Sequence, residues 1–329
     1  MNSHARKGDL TASVPQTVCG HWHRIYNPKE RIMKRVLLTT TALVMTAGVA
    51  AAEVSFSGTT QVGISSTNGA DNVLSTGTDF NVALSGAADN GMTVSTSFDI
   101  GMGSLIDYND DFATEAQSDE NDGAPELTIG YKGYTISAQQ NGVDNLCNGD
   151  LPGADLGIAG SLGGITFAVT GDLEDNNSSY KASYAMGDLT ATLTGTNDEN
   201  GTATAGADSA MALALSYAMG DLTLTASTDD EGAADSTNKV GFSYVMDSLT
   251  VSYTAIDPSA AGKDMGDEWD ASIKYSAGAL TASYAIDEAD ATTLIAEYDL
   301  GGGATFFAAA HEKAGTANDF NAMGINFAF

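Results

Sequence analysis

The chain has 329 residues, with 13 basic and 43 acidic side chains and a formal net charge of −30. Seven of the basic residues precede residue 36, so the part after Ala52 carries 6 lysines, no arginine and 41 acids. Because phosphate recognition needs clustered lysine and arginine, nucleic acid is an implausible partner.

Residues 33–52 have the pattern of a cleaved export signal. A basic start at Met33-Lys34-Arg35 precedes an apolar run and the small residues Ala50 and Ala52. Cleavage is expected after Ala52. The apolar run is shorter than the ~20 residues of a spanning helix and none like it follows, which excludes a helical membrane protein.

Two further segments flank this signal. Residues 1–32 form an upstream extension, for which a misassigned start is the preferred explanation, because signals normally begin at the initiator methionine. Residues 53–329 form the mature chain and are expected to make one β-barrel.

The mature chain is dominated by a period of two, which predicts strands with one apolar and one polar face. Short turns with Gly or Asp follow at regular intervals, near 88–91, 132–133, 163–164, 187–188, 220–221, 247–248, 277–279 and 301–303. With terminal strands at 54–65 and 321–329, this turn count gives eighteen strands. Residues 125–170 are Gly-rich and leave sixteen equally acceptable.

A row of tyrosines recurs at one height, three residues before successive turns and always on the apolar face. Its members are Tyr184, Tyr217, Tyr244, Tyr275 and Tyr298. A phenol can keep its ring among acyl chains and its hydroxyl among headgroups, so the row is interpreted as an interfacial girdle. Cross-strand tyrosine pairs in a soluble sandwich would not require a shared height.

Longer acidic segments join the strands at the other end, notably 101–125, 197–209, 229–237 and 257–268. Short turns on one side and long loops on the other are typical of outer-membrane barrels. The chain offers no amphipathic helix to cover the apolar faces, so lipid must cover them. Strand edges cannot stay unpaired in hydrocarbon, so an all-β, antiparallel, up-and-down transmembrane barrel is predicted.

Either strand number leaves a water-filled lumen. Six charged residues fall in the lumen register and are the pore-lining candidates: Lys181, Lys239, Lys274, Glu126, Asp270 and Glu297. Because acids dominate, we expect a net negative pore that prefers cations.

The loop acids could also bind Ca²⁺, with Asp264, Asp267 and Glu268 as weak candidates, or bridge lipopolysaccharide through divalent ions. Ordinary solvated loop surface, which keeps exposed loops soluble, is the simpler explanation of these acids. No other metal, cofactor or catalytic residue is expected.

Three segments resemble the porins of photosynthetic and related alphaproteobacteria, Gram-negative general porins. They are EVSFSG at 53–58, YDLGGGA at 298–304 and GINFAF at 324–329. The resemblance implies a homotrimer of sixteen-stranded barrels in the outer membrane that passes small hydrophilic solutes. Ile325, Phe327 and Phe329 look like the signal recognised by the barrel assembly machinery.

The resemblance also implies that the third outer loop folds inward and constricts the pore. Here that loop, at about 140–153, is short and holds Asp144 and Asp150. The second loop, at 101–125, is longer and more acidic. The sequence leaves open which of them fills the pore.

Two rival functions remain. A secreted or surface-exposed β-rich adhesin or structural protein would share the signal, acidity and alternation, but would not require the terminal Phe or the tyrosine row. An outer-membrane barrel enzyme would need a nucleophile and a base at the rim. His311 lies near a loop, yet no Ser, Asp or Asn motif accompanies it, so no enzymatic activity is expected.

Overall fold

The computed structural model describes residues 52–117, 125–147, 153–174, 177–197, 209–230, 236–257, 264–313 and 319–329. The upstream extension and residues 33–51 of the predicted export signal, including Ala50, lie outside these ranges. Ala52, the last residue of that signal, begins the first strand. Both assignments stay predictions.

Nineteen β-strands form the regular structure of the described residues. The first nine are β1 (Ala52–Thr67), β2 (Val73–Ala87), β3 (Thr93–Asp107), β4 (Ala113–Ala116), β5 (Leu127–Tyr131), β6 (Tyr134–Val143), β7 (Ala154–Leu162), β8 (Ile165–Gly171) and β9 (Ser178–Met186). The other ten are β10 (Leu189–Asn197), β11 (Ser209–Met219), β12 (Leu222–Asp230), β13 (Thr237–Met246), β14 (Leu249–Asp257), β15 (Glu268–Ala277), β16 (Leu280–Asp287), β17 (Thr292–Gly301), β18 (Ala304–Glu312) and β19 (Phe320–Ala328). Within the described ranges, no helix has the length and apolar character needed to cross a membrane.

Eighteen of these strands form one closed antiparallel barrel. β1 pairs with β2 on one side and with β19 on the other, so the ring of strands closes. The other strands pair in chain order, except that β3 pairs with β5 and the short β4 pairs with β3 alone. The predicted up-and-down barrel is confirmed. Its eighteen strands agree with the turn count and exceed by two the sixteen implied by the resemblance.

Tight turns join the strands at the end of the barrel where β1 begins and β19 ends. Gly187, Gly220 and Gly278 each open a two-residue turn with φ of 59–62°, and Asp247 does so with φ of 50°. A positive φ at the first central residue fits a type II′ turn, whose twist suits antiparallel strands. These turns lie where the repeated Gly and Asp predicted them.

The outer face of the barrel is apolar, while the inner face carries small and polar residues. In β11, Met211, Leu213 and Leu215 are 39–47% exposed on the outside, whereas Ala212 between them is 3% exposed. A continuous apolar band of this kind would be unfavourable in water. It is the surface that hydrocarbon covers in an outer-membrane barrel.

Candidate channel lumen and its inner loop

The three lysines predicted to line the pore lie in the inward register of their strands. Their cross-strand partners carry hydroxyl groups: Thr194 for Lys181, Ser227 for Lys239 and Ser283 for Lys274. Alternation produces this arrangement, since the residues that follow the lysines, Ala182, Val240 and Tyr275, are apolar or aromatic and face outward. Charged and hydroxyl side chains together make a surface that water can wet.

Two of the three predicted acids, Asp270 and Glu297, lie in the same inward register, and Glu126 lies just before a strand. Glu297 on β17 is directly opposite Phe307, an inward residue of β18. Asp270 on β15 is directly opposite Asp287 on β16, so negative charge accumulates at that height. Glu126 precedes β5 and accepts a hydrogen bond of 3.3 Å from the Thr128 hydroxyl.

The second outer loop leaves the barrel wall at a glycine pair. The β2–β3 register ends at Gly77 opposite Gly103, and Gly103 has a φ of 80°. A Cβ atom at Gly77 would lie 2.7 Å from the Ser104 carbonyl group, and one at Gly103 would overlap the carbonyl oxygen of Thr76. Without side chains here, β3 can turn away from β2 into the lumen.

We call residues 104–117 the inner loop. The end of β3 pairs with β4 in this segment, from Ser104 opposite Ala116 to Asp107 opposite Ala113. The Thr114 and Ser65 hydroxyl groups lie 3.0 Å apart, which connects β4 to the inner face of β1. The inner loop is therefore a small hairpin held against the barrel wall.

Gln61 fixes the start of the inner loop. The N–H of Ile106 donates to Gln61 Oε1 at 2.6 Å, and Gln61 Nε2 donates to the Ile106 carbonyl oxygen at 3.1 Å. Gln61 is 6% exposed and Ile106 is 2% exposed. The side-chain amide thus satisfies two main-chain groups that would otherwise be buried without partners.

Two aromatic stacks hold the rest of the inner loop on β18. The Tyr108 and Phe307 ring centroids lie 4.1 Å apart with an angle of 5° between planes. Phe112 and His311 repeat this geometry, at 4.1 Å and 4°. The His311 Nδ1 atom lies 2.9 Å from the Thr293 hydroxyl. His311 therefore packs against the loop as an aromatic surface.

Tyr108 is also hydrogen-bonded at its hydroxyl. It donates to Glu297 Oε1 at 2.8 Å and accepts from Asn326 Nδ2 at 3.2 Å. Burial, followed by the nearby Glu297 carboxylate, holds the pKa of Tyr108 well above its usual range. The hydroxyl therefore stays protonated and donates a hydrogen bond to the Glu297 carboxylate.

Phe307 lies over two glycines of the neighbouring strands. In register, Phe307 of β18 is opposite Gly324 of β19, which is opposite Gly63 of β1. A Cβ atom would lie 2.7 Å from the Phe307 ring at Gly324 and 3.2 Å from it at Gly63. The two glycines let the ring lie against the wall, where its other face receives Tyr108.

The first residues of the third outer loop contact the opposite wall. Leu146 N–H donates to the Ser179 hydroxyl at 2.8 Å, and Asn145 Nδ2 donates to the Thr196 hydroxyl at 3.1 Å. β9, which carries Ser179, lies halfway round the ring from β18, which carries Phe307. Asp150 lies outside the described residues. Both loops thus contact the inner wall, and the second is the one whose described part folds well into the barrel.

The inner loop is strongly acidic. The Asp107 carboxylate accepts from the main-chain N–H groups of Asn109 and Asp110, at 3.1 and 2.9 Å. Partial burial raises the pKa of Glu115, and the hydrogen bond to Asp111 and the charges of the neighbouring acids raise it further. Glu115 therefore takes up a proton more readily than an isolated glutamate.

Asp107, Asp111 and Glu115 are the one group of potential metal ligands found among the described residues, with carboxylate oxygens within 4.8 Å of one another. The weak Ca²⁺ candidates lie elsewhere. Asp264 N–H donates to Asp267 Oδ2 at 2.8 Å in the turn before β15, which begins at Glu268. Calcium binding stays a prediction for these loops.

The predicted tyrosine row lies on the outer face. Its five members, Tyr184, Tyr217, Tyr244, Tyr275 and Tyr298, are 41–48% exposed. Several are in register with the leucine that follows a neighbouring turn, such as Tyr217 with Leu189. The shared face and height are therefore present, and contact with an interface stays a prediction.

The residues of the predicted assembly signal also face outward. Ile325, Phe327 and Phe329 are each 41% exposed. The main-chain N–H and C=O of Phe329 pair with Gly58 at 3.1 Å each, and the Phe329 ring stacks on Phe80 at 6.2 Å. The terminal residue thus contributes to the closing β1–β19 seam, and its recognition by the assembly machinery stays a prediction.

The family whose sequence model matches residues 39–318 is described as Gram-negative porin. In fold, the chain is similar to a mutant of the Rh. blastica porin, at 16% identity and a TM-score of 0.51, covering 84% of this chain and 100% of that one. It is also similar to OprD of Pseudomonas aeruginosa, at 13% identity and a TM-score of 0.56, covering 84% and 94%. A third similar structure is OpdQ of Pseudomonas aeruginosa, at 12% identity and a TM-score of 0.54, covering 84% of this chain and 98% of that one. No curated protein matches the sequence.

Proposed function

The chain belongs to the Gram-negative porin family, and from this premise we propose that it forms a water-filled channel for passive diffusion across the outer membrane. The observation that carries the proposal is the closed eighteen-stranded barrel, which is apolar outside and polar inside. Eight-stranded barrels are filled by their own side chains, whereas barrels of sixteen to eighteen strands enclose an aqueous channel. Small hydrophilic solutes and ions are its cargo.

The channel prefers cations. The inner loop lies within the barrel and carries Asp107, Asp110, Asp111 and Glu115, while the whole segment 101–125 contains no basic residue. Fixed negative charge in a confined aqueous space raises the local concentration of cations. The inward lysines reduce this field without reversing it, since they are fewer than the acids.

Several further properties belong to the same proposal. Residues 33–52 are removed as the export signal, and the terminal β19 directs folding by the barrel assembly machinery. The mature chain forms a homotrimer, and its outer face contacts lipid and lipopolysaccharide. Family membership and the exposed apolar band support these assignments. The proposal requires no cofactor, and Ca²⁺ in the acidic loops is an optional addition.

Solute entry into liposomes tests the channel, and reversal potentials test its charge preference. The refolded mature chain, residues 53–329, is reconstituted and challenged with neutral sugars of increasing size. We expect entry rates that fall with solute size, together with a reversal potential of cationic sign in a salt gradient. Absence of sugar entry would contradict the channel. An anionic sign would contradict the charge preference alone.

A further inference from the structure

Charge repulsion and conformational entropy both favour release of the inner loop from the barrel wall. The contacts of the loop must outweigh these two effects. It carries four acids, Asp107, Asp110, Asp111 and Glu115, and no lysine or arginine to balance them. Like charges held close together repel, and ordering a loop costs conformational entropy. Gln61 fixes Ile106 at the start of the loop and leaves the residues beyond it to other contacts.

Among those other contacts are the Ser65–Thr114 hydroxyl contact and the hydrogen bonds of the Tyr108 hydroxyl. The two ring stacks, Tyr108 on Phe307 and Phe112 on His311, form what we call the aromatic clasp. The two loop rings are four positions apart in sequence, as are the two wall rings, and both stacks are within 5° of parallel. Tyr108 and Phe307 are buried, at 5% and 0% exposure. Matching spacing on loop and wall lets both stacks form together.

The wall is shaped to receive the clasp. Gly324 and Gly63 lie beside Phe307 on consecutive strands, and a side chain at either would press against its ring. Phe320 of β19 contributes to the same buried cluster as Phe307 and Tyr108. The loop therefore rests on a surface that the barrel provides at one place in its wall.

We infer that Tyr108 is a positioning residue: with Phe112 it holds the inner loop against β18 and so sets the aperture through which solutes pass. The inference rests on the proposed channel function. Loss of the clasp frees the loop to move into the lumen between its two ends. The current through the channel then fluctuates. The size of solute that the channel admits varies with the position of the loop.

The test compares single-channel currents of the full mature chain and of a Tyr108→Leu/Phe112→Leu variant. Two aromatic stacks are lost, so the time spent away from the main conductance level should rise roughly tenfold or more. Tyr108→Phe keeps the ring and loses the two hydrogen bonds of the hydroxyl, so its current should fluctuate much less than that of the double-leucine variant. The matched control is Tyr284→Leu/Phe306→Leu, which removes one Tyr and one Phe from the outer face, where each is 40% exposed.

A crosslink separates loop position from barrel folding. The Ser65 and Thr114 hydroxyl groups are 3.0 Å apart, so Ser65→Cys with Thr114→Cys can join β4 to β1. In the double-leucine background, oxidation should restore the steady current and reduction should abolish it again. If that background does not fold, Phe112→Leu alone receives the same crosslink.

Three outcomes distinguish the proposals. Heat-modifiable double-leucine barrels with wild-type current noise and solute cutoff would overturn the clasp. The clasp would also be overturned if oxidation and reduction of the Ser65→Cys/Thr114→Cys pair left the current noise of the double-leucine variant unchanged. A wild-type chain that inserts and never conducts would instead overturn the proposed function.

Discussion

The side-chain amide of Gln61 hydrogen-bonds both the N–H and the C=O of Ile106, as a residue of a neighbouring strand would. Gln61→Leu should leave both main-chain groups buried without partners, at a cost of about 1–3 kcal/mol for each. The inner loop should then open more often. We expect a glutamate-specific protease to cleave after Glu115 several-fold faster, as measured by mass spectrometry of the peptides.

Gln140→Leu is the matched control for this change, because Gln140 is exposed on β6. It should leave cleavage after Glu115 at the wild-type rate. Equal cleavage of Gln61→Leu and wild type would show that the amide does not hold the loop.

Gly324→Ala should destabilise the barrel, because the new Cβ atom would lie 2.5 Å from the Val62 carbonyl oxygen and 2.7 Å from the Phe307 ring. Overpacking of this kind costs about 1–3 kcal/mol in the free energy of unfolding. Gly86→Ala is the control, since nothing lies within 4 Å of its Cβ position. Urea unfolding followed by tryptophan fluorescence measures both, and equal midpoints would refute the tight contact.

Lys181→Gln should make the channel more cation-selective. Lys181 lies in the inward register of β9, so the substitution removes a positive charge from the lumen. The reversal potential in a salt gradient should move further in the cationic direction. Lys132→Gln, in the tight turn between β5 and β6 where Lys132 lies 5.0 Å from the Tyr131 ring, should move it much less. A shift in Lys181→Gln no larger than that in Lys132→Gln would contradict the assignment of Lys181 to the lumen.

Cation selectivity should weaken as the pH falls, and Glu115 should be the first acid of the inner loop to contribute. Its pKa is raised by partial burial, by the hydrogen bond to Asp111 and by the neighbouring negative charges. A raised pKa means that protonation, and loss of charge, begins at a higher pH than for an isolated glutamate. Glu115→Gln should remove the earliest part of the decline in a plot of permeability ratio against pH. A superimposable curve would exclude Glu115 as its source.

The wall of this barrel could be predicted from the sequence because its determinants are local. Alternation decides which residues face outward, and Gly187 or Gly220 marks a turn with a tyrosine three residues before it. Counting those turns gives the strand number. The resemblance implies sixteen strands, two fewer, because that number belongs to the family and does not come from the turns of this chain.

The position of the inner loop could not be predicted in the same way. Tyr108 and its hydrogen-bond partner Glu297 are 189 residues apart, and no periodicity links them. The informative signals were an aromatic pair within an acidic loop, Tyr108 and Phe112, and glycines at the inward positions Gly63 and Gly324. Only the closed ring brings these four residues together, because β1 and β19 become neighbours at its seam.

Single-channel recording of the refolded mature chain in planar bilayers under a salt gradient tests whether the barrel is an open, cation-preferring channel. We expect stable stepwise conductance, with steps grouped in threes for a trimer and a reversal potential of cationic sign. A heat-modifiable barrel that inserts into the bilayer and never conducts would contradict it.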